Sequence, residues 1–126
     1  MTDTVSIIKE RLDVADTRIA NYTDMPDPTP NSPYRIIDAT PGMPTDRILA
    51  GQARLLTQTI YIYNVSNTRV GATRIAQHAI AILDAQKIDG RLMWVSQVSE
   101  PDEDMSNPSE YRYSSVIEIV TKVRKN

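Results

Sequence analysis

His78, four serines and the acidic run 100–110 are the groups with the best chance of doing chemistry, and their spacing supports little of it. A lone imidazole works as a general base only when another group orients it. On a helical reading, the residues four positions from His78 are Arg74 and Ile82. No acidic partner stands in local reach, so His78, inside the helix, reads as an ordinary residue at the boundary of the core. Ser66, Ser96, Ser114 and Ser115 lie in no nucleophile-elbow context. Asp102, Asp104 and Ser106 alternate as in an EF-hand loop, but Asn107 stands at the bend-glycine position and Tyr113 at that of the bidentate glutamate. The chain has no cysteine, which removes disulfides, thiolate nucleophiles and cysteine zinc sites and fits a reducing compartment. Gly71 is not followed by the Lys-Ser/Thr pair of a phosphate loop and reads as a close-packing point. No catalytic, cofactor-binding or metal residue is assigned, and the chain is not expected to be an enzyme.

At 126 residues the chain fits a single domain, 1–126, long enough to bury roughly two-thirds of its unfolded surface. Hydrophobic content of 40% and charged content of 24% match an ordinary globule. The core must be mostly aliphatic, because phenylalanine is absent and the aromatics are six tyrosines and one tryptophan. A net charge of −2 offers no general attraction for nucleic acid. The N-terminal residues lack a signal peptide's apolar core, and no apolar run approaches the ~20 residues of a membrane span. The sequons at Asn21 and Asn64 are read as chance.

The elements that would position any site follow from periodicity. Val5, Ile8, Leu12, Ala15 and Ile19 form the stripe of a first helix over residues 3–21, capped by Thr2 or Asp3. Prolines 26, 28, 30 and 33 then make an extended connector. Residues 34–39 read as a short or edge strand bounded by Pro33 and Pro41. Residues 40–53 form a long loop carrying Met43, Ile48 and Leu49. Loops of this length often form binding surfaces.

Residues 54–65 alternate Leu56, Gln58, Ile60 and Ile62 on a helix-facing side with Leu55, Thr57, Thr59, Tyr61 and Tyr63 on a partly wet side. Asn67 or Thr68 caps a second helix with an Ala-Ile stripe from Ala72 to Leu83. After the turn at Asp89-Gly90, residues 91–99 read as a third strand with Trp94 as a large anchor. Residues 100–110 form an acidic loop, and 111–123 a fourth strand ending in a basic tail of Lys122, Arg124 and Lys125. The expected fold is α+β: a mainly antiparallel four-stranded sheet with helices on one face, order α-β-β-α-β-β, with long loops after strands 1 and 3.

Taken in order, several pieces resemble the tail terminator or tail-completion proteins of long-tailed bacteriophages. These pieces are a helix ending near Tyr22, Pro33-Tyr34 opening the first strand, Ile60-Tyr61-Ile62-Tyr63 in the central strand, the Ile75 to Leu83 helix, and two strands around an acidic loop. The resemblance spans nearly the whole chain. It implies a structural virion protein whose ring, a hexamer by that resemblance, caps the head-proximal end of the tail tube, stops polymerisation and receives the head connector. Implied partners are further copies of itself, the tube protein and the connector. Genome DNA would pass through without specific binding, and assembly in the host cytoplasm would end at the head-tail junction of the virion. Exposed strand edges and wet tyrosines fit subunit contact. Met43, Ile48, Leu49, Tyr61 and Tyr63 are the expected subunit or tube contacts, and Asp102, Glu103 and Asp104 the expected channel or rim acids. The alternatives are a connector stopper or adaptor, and a small ligand-binding or enzymatic domain built around His78.

Overall fold

Ile8 and Leu12, one helical turn apart, are both fully buried and dock helix α1 (Thr4–Ala15) onto the core. The computed structural model describes residues 4–24, 30–31, 33–40, 43–44, 54–88, 90–104 and 112–125. α1 ends earlier than its apolar stripe predicts. The Asp16 carboxylate accepts the backbone N–H of Arg18 at 3.0 Å, and a short acidic side chain bonded this way competes with helix continuation. Residues 20–22 therefore leave the helix and form strand β1 (Ala20–Tyr22), parallel to β2 (Tyr34–Ala39). The predicted caps, Thr2 and Asp3, lie outside the described residues.

Strand β4 (Arg54–Ser66) pairs antiparallel with β2 on one side and with β9 (Arg112–Lys125) on the other, the latter over thirteen positions from Arg54↔Lys125 to Ser66↔Tyr113. β3 (Met43–Pro44) also pairs with β4, while β7 (Trp94–Val98) and β8 (Asp102–Asp104) pair with β9. The principal order is β1-β2-β4-β9-β7, in a seven-stranded sheet made mixed by the parallel β1–β2 pair. A separate hairpin joins β5 (Lys87–Ile88) to β6 (Arg91–Leu92), with Gly90 at φ 73 in its turn.

The α+β class holds, but the four-stranded sheet and the order α-β-β-α-β-β do not describe this architecture. β1, β3, β5 and β8 are two or three residues long, too short to show a period. β2 is an interior strand, flanked by β1 and β4, rather than an edge. The predicted loop 40–53 contributes β3, and the predicted acidic loop contributes β8. The basic tail lies in the β9 ladder out to Lys125.

The core lies between the sheet and both helices. α2 (Arg69–Leu83) brings Ala76, Ala79 and Leu83 into one cluster with Ile60, Ile62, Ile117 and Ile119, all of them at or near complete burial. Each such isoleucine contributes about 1.5–3 kcal/mol of burial free energy. Small alanines let the helix backbone approach the strands. Thr68 caps α2 by accepting the Gly71 N–H at 2.9 Å.

Trp94 is not the anchor its size suggests, since it is 59% exposed while Met93 beside it is fully buried. The ladder places Trp94 opposite Val120 on the sheet face away from the helices. Met93 sits between β6 and β7 and bonds through its backbone to Ala85 and Gln86. A register shift between Val95 and Gln97 then bends the β7 edge.

Candidate functional site

Gly71, Arg74 and His78 recur at three- and four-residue steps along α2 and line one wall of a cleft of about 420 Å³. The facing wall comes from the turn after α1, with Asp16, Arg18 and Ile19. Pro33, Ser66 and Ile75 complete the lining. The first turn of α2 lies against the end of β4. A Cβ on Gly71 would stand 2.2 Å from Ser66 Oγ and 2.8 Å from Thr68 Oγ1, so only glycine fits without displacing them.

Asp16 and Arg18 form a two-pronged pair, Nε to Oδ1 at 3.1 Å and Nη2 to Oδ2 at 3.3 Å. These side-chain bonds, the Arg18 backbone N–H and the nearby positive groups Arg18 and His78 hold the Asp16 carboxyl below its usual range. His78 thus has an acidic neighbour that local sequence did not reveal. Asp16 nevertheless spends its hydrogen bonds on Arg18, and His78 Nδ1 is buried with no hydrogen-bond partner among the described residues. An imidazole without an orienting bond is poorly prepared as a general base.

Beneath this cleft lies a polar network that the sequence reading missed. Arg35 in β2 is fully buried and donates Nε to Asn64 Oδ1 at 3.0 Å, Nη1 to Asn21 Oδ1 at 3.3 Å and Nη2 to the Ile75 carbonyl at 2.9 Å. Burial pulls its pKa down to about 10, partly offset by the charge of Asp16. Asn64 passes its amide protons to Ile62 and Ser115 carbonyls, and Asn21 passes one to Asp13, which also pairs with Lys9 at 2.8 Å. Both sequon asparagines are therefore buried structural donors. The available signals were an arginine amid the apolar residues of YRIIDA and an asparagine continuing the helix-facing series 58, 60, 62, 64.

The expected interface residues do not converge on one site. Tyr61 and Tyr63 are half-buried on the sheet face opposite the helices, across from Asp38 and Ile36 on β2 and from Glu118 and Val116 on β9. Met43 is placed by its backbone in β3, opposite Thr57, and Ile48 and Leu49 lie outside the described residues. Asp102, Glu103 and Asp104 occupy β8, opposite Ser114, Tyr113 and Arg112, so they are a strand and not a loop. Asp102 and Glu103 are exposed. Arg69 fastens this end of the sheet to α2, with its guanidinium 5.4 Å from the Tyr113 ring centre and Nη1 donating to the Pro101 carbonyl at 3.0 Å.

Among the described residues no cluster of histidine, cysteine or carboxylate side chains could hold a metal ion, and no helix is long and apolar enough to cross a membrane. Compared with protein-family models and with curated proteins, the chain matches none.

Proposed function

We propose that this chain is a structural subunit of the phage tail terminator kind. In this reading copies form a ring, a hexamer by the family analogy, that caps the head-proximal end of a tail tube. The ring stops tube growth and offers a docking surface to the head connector, and the protein makes and breaks no covalent bond. Genome DNA passes through it without specific contact. The observation that carries the reading is the sheet face turned away from both helices. There Ile36, Tyr61, Tyr63, Val116 and Val120 are half-buried and Trp94 is exposed, with Asp38 and Glu118 among them. A surface rich in aromatic and aliphatic side chains suits contact between subunits. The antiparallel path β2-β4-β9-β7 is the rigid plate that would present it.

The test is electron microscopy of the purified protein mixed with tail tubes. Rings seated on tube ends support the reading, and bare tube ends overturn it. Replacing Ile48 and Leu49 by serine is expected to weaken the ring in native mass spectra. A connector stopper or adaptor would instead attach to DNA-filled heads and leave free tubes uncapped. Asp102, Glu103 and Asp104 are assigned to the ring channel or its rim, where carboxylates keep DNA phosphates from adhering.

A ligand-binding reading is favoured by one observation, the gathering of His78, Asp16, Arg18 and Arg74 around a single cleft. His78→Ala separates the two readings, since a ring subunit keeps its assembly and capping activity whereas a protein whose site is built on the imidazole loses its function while folding and assembling normally.

A further inference from the structure

We propose that the cleft between α2 and the turn after α1 receives the oxyanion group of a small molecule, held by Arg74, Arg18 and His78. The inference is independent of ring formation. Three features of the cleft carry it.

Charge is the first. Arg18 and Arg74 line the cleft and the Arg35 guanidinium lies behind it on the Ile75 carbonyl, whereas Asp16 is the sole carboxylate among the described residues of the lining. Two guanidinium groups against one carboxylate in that lining favour an anion, in a chain whose net charge is −2. Arginine forks match carboxylate and phosphate oxygens in pairs, which makes an oxyanion the complementary ligand.

Unused donors are the second. Among the described residues the Arg74 side chain makes no hydrogen bond, and Arg18 commits Nε and Nη2 to Asp16 and leaves Nη1 over. The Asp16 pair also fixes Arg18 in place, so less side-chain freedom is lost on binding.

Shape is the third. About 420 Å³ falls within the range of about 300–1,000 Å³ typical of small-molecule pockets, and Ile19, Ile75 and Pro33 supply apolar wall for a ligand's body. Because Asp16 is engaged by Arg18 rather than by His78, the arrangement suits binding better than proton transfer.

The experiment is an NMR titration of the full chain, labelled with nitrogen-15, with inorganic phosphate and with acetate at constant ionic strength. Saturable shifts at Gly71, Arg74 and His78 are expected. Arg74→Gln is expected to weaken binding about tenfold, the loss of one charge-assisted hydrogen bond. Arg18→Gln is the second variant, with its native side chain 88% exposed and so a poor candidate for unfolding the protein. Preference for phosphate assigns a phosphate ester and preference for acetate a carboxylic acid, and either supports the site. Shifts that stay linear in anion concentration, or that survive both substitutions unchanged, overturn it.

Discussion

Arg35 Nε lies 3.0 Å from Asn64 Oδ1, and both side chains have no solvent exposure. This bond joins β2 to β4 inside the core, and its two partners reach onward to α2, β1 and β9. A buried guanidinium hydrogen-bonded only to neutral groups is held by the geometry of those acceptors, which makes it a locking device for the packing of five elements.

Arg35→Met is accordingly expected to destabilise the fold by about 3 kcal/mol, because it leaves the Asn64 and Asn21 oxygens unmatched while relieving the burial of a charge. Urea unfolding measures it. Combined with Asn64→Leu, the loss should fall short of the sum of the single losses by about 1 kcal/mol or more. Strict additivity would remove the network from the account.

Acid sensitivity should trace in part to Asp13. Partial burial pushes its pKa up, but hydrogen bonds from Lys9 and Asn21 and the Lys9 charge outweigh this and leave it below its ordinary 3.8. A carboxyl that binds its proton less readily in the native state contributes stability that is complete above that value. The contribution disappears as pH falls through the lowered native value. Asp13→Asn should flatten the acid limb of the stability curve and lower neutral stability by the same amount, a small one because the ion pair is about two-fifths exposed on each side. An unaltered limb assigns the acid response elsewhere.

Gly71→Ala is expected to destabilise by about 1–3 kcal/mol through the clash with Ser66 Oγ, despite the better helix propensity of alanine. Adding Ser66→Ala should recover part of the loss. If Gly71→Ala alone stabilises the protein, the first turn of α2 is looser than described.

For the proposed ring, Trp94→Ser is the cleanest surface test. At 59% exposure its removal should change monomer stability by about 0.5 kcal/mol or less while weakening self-association. Thermal unfolding and sedimentation read the two effects separately. Intact rings from a Trp94→Ser, Tyr61→Ser protein would discard this face as the subunit contact.

Sequence periodicity was sufficient for the long elements, because a 15-residue helix and strands of 13 and 14 residues repeat their burial pattern often enough to be read. Thr68 as a helix cap and the Ile60 and Ile62 face toward the helices were legible for the same local reason. Short pairings were not. Whether Ala20–Tyr22 or Asp102–Asp104 forms a strand depends on the ladder beside it, and Trp94 turned outward because its register with Val120 set its face. His78 could not be joined to Asp16, nor Arg35 to Asn21 and Asn64, from spacing along the chain. Those neighbours are brought together by packing, at separations no helix or strand period encodes. The amino-acid order determined which stretches fold into which element, and tertiary packing alone decided which polar groups share the interior and the cleft above it.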